Sequence, residues 1–147
     1  MPPFISKPTA LGYAVMFSPV SEIKRLIAEG VDVNALFPYD GKTALIVAAK
    51  QGRCAAVHRL LAAGANPNHT DMRDNTALVY ATHHSSTTAL RMLLATAPAG
   101  EQISRALVRA AECGRVRAMT LLLAATNPLW PQQSRALTAA VRHCTTR

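Results

Sequence analysis

The side chains able to do chemistry in this chain are few and scattered. Cys54, Cys113 and Cys144 lie far apart and are odd in number. No CxxC, HxxxH or HExxH spacing occurs, and His83-His84 is the one adjacent pair of candidate metal ligands. Two neighbouring histidines without a third partner do not make a zinc site. With only 8 acidic residues, most of them at turn positions, a pair of carboxylates for acid–base work is hard to assemble. Neither a glycine-rich phosphate loop nor a nucleophile elbow is present. The expectation is a protein that is not an enzyme and takes no metal or cofactor. Separated, unpaired thiols also suit a reducing compartment, so the cytoplasm is the expected location.

The elements that position these residues declare themselves by repetition. Thr-Ala-Leu occurs at residues 9–11, 43–45 and 76–78, and an alanine follows each after two residues: Ala14, Ala48 and Ala81. Arg105-Ala106-Leu107 with Ala110, and Arg135-Ala136-Leu137 with Ala140, repeat the pattern with arginine in first place. A second stretch then ends in paired aliphatics: Ile23…Leu26-Ile27, Val57…Leu60-Leu61, Leu90…Leu93-Leu94 and Met119…Leu122-Leu123. Apolar residues at i, i+3 and i+4 put one buried stripe on a helix. Gly52 and Gly114 fall between the two stretches, where a left-handed residue turns the chain. In the first two units Gly30-Val31-Asp32-Val33-Asn34 and Gly64-Ala65-Asn66-Pro67-Asn68 close the second stretch with turn-forming residues. Each unit reads as helix, tight turn, helix, extended loop.

That unit resembles the ankyrin repeat, whose pattern runs Asp-x-x-Gly-x-Thr-Pro-Leu-His-x-Ala-Ala-x-x-Gly, then an aliphatic helix and Gly-Ala-Asp-x-Asn. Residues 40–69 match it closely, and 5–37 and 71–98 match well. Alanine stands where the family has proline, at 10, 44 and 77, and Gly12, Ile46 and Val79 stand where it has histidine. The family's Thr–His hydrogen bond is therefore lacking. The resemblance implies an all-α solenoid in a single domain spanning 1–147. Its repeats fall at about 5–37, 38–70, 71–102 and 103–130, with a partial cap at 131–147. The short connections at 97–100 and 126–131 are expected to truncate the projecting loops, or fingers, after units three and four. Ala14, Ala48, Ala81 and Ala110 are expected to let the inner helices approach closely.

What the resemblance implies for function is binding of another protein on the concave side. The finger positions are Tyr39, Asp40 and Lys42, then Met72, Arg73 and Asn75. The inner-helix ends are Met16-Phe17, Lys50-Gln51, His83-His84, Glu112-Cys113 and Arg142-His143. Tyr39 and Arg73 are favoured as contacts, being residue types common at binding hot spots. Phe17 is expected to cover the end of its own repeat, and His83-His84 to be contact surface that titrates between about pH 5 and 8. Lys24, His58 and Arg91 share one outer-helix position and read as a solvated convex ladder. Trp130, between Pro128 and Pro131, is expected to pack a connector.

Bulk properties frame the same expectation. Half the residues are apolar and 5% aromatic. Alanine makes up roughly a fifth of the chain, which suits close-packed helices. No run is long and apolar enough for a membrane span, and the first eight residues lack the continuous apolar core of a cleaved signal. The net charge of +8 is uneven: residues 1–37 are neutral, 38–99 carry +3 and 100–147 carry +5. A basic C-terminal half keeps nucleic acid as an alternative partner, although there is no recognition-helix motif and few aromatics for base stacking. Abundant alanine and arginine point to a GC-rich bacterial genome. The leading expectation is a monomeric bacterial inhibitor or immunity-type protein, and the other alternative is a host-directed effector.

Overall fold

The computed structural model describes residues 7–84, 87–96 and 98–126. The expected cap at 131–147, Trp130, Cys144 and Arg142-His143 lie outside the described residues. Every regular element among them is an α-helix: α1 (Lys7–Phe17), α2 (Val20–Ala28), α3 (Ala44–Gln51), α4 (Cys54–Ala62), α5 (Ala77–Ala81), α6 (Thr88–Leu94), α7 (Gly100–Glu112) and α8 (Val116–Thr126). They form four antiparallel pairs. The inner helices α1, α3, α5 and α7 stack in order, and the outer helices α2, α4, α6 and α8 stack behind them.

Local sequence sets where each helix begins and ends. The Thr43 hydroxyl accepts from the Ile46 N–H at 3.4 Å and caps α3, satisfying one of the free donors of the first turn. Gly52 ends α3 at φ 70°, its N–H bonded back to the carbonyls of Ala48 and Ala49. A Cβ on Gly52 would sit 2.7 Å from Nδ1 of His84, so both conformation and space require glycine there. α5 stops after 5 residues. Immediately beyond it, the buried Thr82 hydroxyl donates to the Val79 carbonyl at 2.6 Å, a side-chain bond that competes with continued helix. The Thr76 hydroxyl, where the family's histidine partner is missing, is buried with no partner among the described residues.

Packing follows the repeated columns. Ala14, Ala48, Ala81 and Ala110 are all buried, and without longer side chains the inner helices lie close together. Ile23, Leu26, Val57, Leu60, Leu90, Leu93 and Leu122 fill the layer between inner and outer helices. The second member of each aliphatic pair, such as Ile27, Leu61 and Leu94, is half-buried. Gly12 makes room for a finger residue: a Cβ there would lie 1.7 Å from the Phe37 ring. The position that breaks the family pattern is therefore a packing adaptation.

Polar clamps join successive repeats. The Arg53 guanidinium donates to the carbonyls of Ala14, Val15 and Ser18 at the C-terminal end of α1, the last at 2.7 Å. A cation at that end also complements the helix dipole. Nε2 of His84 donates to the Lys50 carbonyl at 2.6 Å, and within the second repeat Nε2 of His69 donates to the Gly41 carbonyl at 3.0 Å. Asn34 and Asn66 bridge two loops, with the Asn66 N–H donating to Asn34 Oδ1 at 2.7 Å. The fingers around 38–43 and 71–76 meet where the Met72 N–H donates to the Asp40 carbonyl at 3.1 Å. Between units three and four only five residues separate α6 from α7.

Candidate functional site

The two fingers and the ends of α3, α5 and α7 enclose a concave groove of about 660 Å³. Tyr39, Asp40, Lys42, Met72, Arg73 and Asn75 enter it from the fingers, and Lys50, His83 and His84 from the inner-helix ends. Three further side chains complete its wall: Asp71, Tyr80 and Arg109. Of the remaining expected contacts, Glu112 lines an adjoining cleft of about 530 Å³ that shares Arg73, Asn75 and Arg109. Gln51 and Cys113 are exposed but line neither cleft. The Cys113 thiol lies 3.9 Å from Nδ1 of His83.

The floor of the groove is a polar network built from two fingers and a helix. Asp71 is buried, yet its Oδ1 accepts from the backbone N–H groups of Arg73 and Asn75 at 2.9 and 3.0 Å. Its Oδ2 accepts from the Tyr80 hydroxyl at 2.5 Å. Burial works against the charged carboxylate, but Tyr80, the two N–H groups and nearby Lys42 outweigh it, and the Asp71 carboxyl titrates below its ordinary range. Burial and then the Asp71 carboxylate raise the Tyr80 phenol. Lys42 and Asp40 form an ion pair at 2.5 Å. The hydrogen bond that Lys42 donates to Asp40 leads in raising the lysine, and that same pair outweighs burial in lowering the carboxyl.

The two histidines do different work. His84 spends Nε2 on the Lys50 carbonyl and fastens the third repeat to α3. Because a carbonyl only accepts, that nitrogen carries the proton. His83 is partly buried, and burial leads in lowering its titration, followed by Arg109, His84 and Arg115. Among the described residues no group of three or more His, Cys, Asp or Glu side chains is close enough to hold a metal ion.

An apolar end adjoins the polar floor. Tyr13, Met16, Phe37, Pro38, Tyr39 and Asp40 line a cleft of about 240 Å³ that shares Tyr39 and Asp40 with the main groove. Tyr39 is 91% exposed and Met72 74%. Phe17 rests its ring on Tyr13 at 4.9 Å between centroids, and with 70% exposure it covers little of its own repeat. On the opposite face Lys24, His58 and Arg91 are exposed, as a solvated ladder requires.

Asp71 and Tyr80 were not among the sequence-selected residues, although one signal pointed to the first. Asp71 stands five residues before Thr76, the offset of aspartate from threonine in Asp-x-x-Gly-x-Thr. The glycine of that pattern falls on Asp74, which adopts φ 58°, just as Gly41 adopts φ 65° two residues before Thr43. No comparable signal marks Tyr80, since the matching residue of the preceding unit is Val47.

Comparison with known proteins agrees with this architecture. A family profile described as ankyrin repeats, three copies, matches residues 3–71. The chain is also similar to the mitochondrial disaggregase of Bos taurus, 46% identical over 77 residues, and to that of Homo sapiens, 43% identical over 77 residues. In both cases the match covers 52% of this chain but only 11% and 10% of the relative, so the chain spans about a tenth of those proteins.

Proposed function

This is an ankyrin-repeat protein, and from that premise we propose that it is a binding module whose concave groove captures one partner protein. The observation that carries the reading is the company kept in the groove: exposed Tyr39 and Met72 beside Arg73, over a floor whose own polar groups are already hydrogen-bonded. Large apolar and arginine side chains held on a rigid floor lose little freedom on binding. One compact surface suits one-to-one capture, as by a bacterial cytoplasmic inhibitor or immunity-type protein. The free thiols of Cys54 and Cys113 favour a reducing compartment.

A second reading rests on the identity with the disaggregases over 77 residues. On it, the groove recognises the kind of protein segment that reaches a disaggregase. The two readings differ in occupant, not in surface. A nucleic-acid partner is set apart by its steep dependence on salt.

The test is copurification of the full chain with its natural partner, identified by mass spectrometry and weighed as a complex. Tyr39→Ala with Arg73→Ala is expected to weaken capture by about tenfold or more, with the helical circular dichroism unchanged. Undiminished capture would move the site to the convex ladder or the basic C-terminal half.

A further inference from the structure

The groove's charges are not evenly satisfied. Asp40 is paired with Lys42, Glu101 with Arg105 at 3.2 Å and Glu112 with Arg109 at 3.1 Å. Asp71 accepts three hydrogen bonds. Every carboxylate around the two concave clefts is thus engaged by this chain itself. Two cations are not: neither Lys50 nor Arg73 forms an ion pair among the described residues. Lys50 sits at the end of α3 with its ammonium 6.0 Å from the Tyr80 ring centroid, and Arg73 stands exposed on the finger opposite. The two clefts are lined by five cations, Lys42, Lys50, Arg73, Arg105 and Arg109, against four carboxylates, so they present a net positive charge whose unpaired members are Lys50 and Arg73. The apolar cleft beside Tyr39 adjoins the same groove, sharing Tyr39 and Asp40 with it.

We propose that the groove takes an extended acidic segment of a protein, its carboxylates against Lys50 and Arg73 and a neighbouring aromatic or aliphatic side chain in the cleft lined by Tyr13, Met16 and Tyr39. The proposal rests on the protein-binding reading above and gives its occupant a chemistry. Arginine engages a carboxylate through two parallel N–H groups and lysine through a point charge, so the two cations hold adjacent acidic residues in different geometries. The apolar cleft supplies the anchor that charge alone lacks. A nucleic acid offers phosphates to the same cations but no aliphatic side chain for the cleft, and a basic segment meets two uncompensated positive charges.

The probe is a phage-displayed library of random twelve-residue peptides, selected on the full-length chain at physiological salt. The expected pool is enriched in Asp and Glu next to Phe, Leu, Ile or Met. Its members are expected to bind about tenfold more weakly when the salt is raised threefold. Selection on Lys50→Glu with Arg73→Glu is expected to yield a pool that has lost its acidic residues. Met16→Asp is expected to remove the apolar preference and keep the acidic one. A pool that is neutral or basic, a pool unchanged by the charge reversal, or no selected peptide at all would overturn the proposal. So would displacement of the pool by single-stranded DNA at equal concentration. If the natural partner is still lost on changing Tyr39 and Arg73 while the library yields no acidic pool, the groove binds a folded surface instead. Capture of that partner untouched by any groove change would sink both readings.

Discussion

Asp71 keeps its charge under cover because Tyr80 and two backbone N–H groups hold it. Tyr80→Phe removes one donor and leaves a buried oxygen short of a partner, so urea unfolding is expected to register a loss of about 1–3 kcal/mol. Because the folded carboxyl titrates below its ordinary range, its contribution is complete above about pH 4, where the unfolded carboxyl is also ionised. It disappears as pH falls through the folded value. Tyr80→Phe should therefore show a weaker acid dependence of stability than the parent. His83 acts in the same direction at higher pH. Its titration is lowered, so between about pH 6.5 and its lower folded value the unfolded chain binds the extra proton, and stability is lost as pH falls through that window. His83→Gln is expected to flatten that part of the melting-temperature profile, and an unchanged slope would show that other groups produce it. Asp74 marks a strained place that only its backbone reveals, at φ 58°. Asp74→Gly is expected to raise stability by about 0.5 kcal/mol in thermal unfolding, and a clear loss would mean that the side chain compensates the strain. Lys50, Arg73 and Tyr39 were visible in the sequence because the repeat register assigns them to finger and helix-end columns. Tyr80 was not, because its role depends on an aspartate in a neighbouring loop.

At the level of elements, the sequence was most legible where a column recurs. Thr-Ala-Leu, the alanine after it and the paired aliphatics place the inner and outer helices because each type answers the same packing demand in every unit. Leu60, fully buried on α4, tests that register: Leu60→Ala is expected to cost about 2–5 kcal/mol. A melting temperature equal to the parent's would contradict the assigned layer. Gly52 carries two requirements at once, a left-handed turn and room for the His84 ring. Gly52→Ala is expected to cost about 1–3 kcal/mol and to loosen the His84 bond to α3, visible as faster amide exchange at the end of that helix. Where columns fail, legibility fails with them. α5 ends at Ala81, where Thr82 turns its hydroxyl onto the Val79 carbonyl, and the matching inner-helix residues Val15, Ala49 and Ala111 offer no hydroxyl. Gly12 departs from the family residue because Phe37 occupies the space above it. Neither reason belongs to a repeating column.

On the scale of the whole molecule, the linear stack was readable from sequence, while the ties between its layers were not. Three of these ties run from a single side chain to a carbonyl of the repeat before: Arg53 onto α1, His84 onto α3, and Arg105 onto the Asp74 carbonyl at 2.8 Å. These three share a direction. In every one, the donating side chain lies later in the chain and the accepting carbonyl earlier. Chains are synthesised from the N-terminus, and domains fold as they emerge. A repeat leaving the ribosome therefore displays helix ends and turns whose carbonyls wait for donors not yet made. Each new repeat closes the one before it, so assembly proceeds like a zip drawn in one direction, with its open end always at the newest turn.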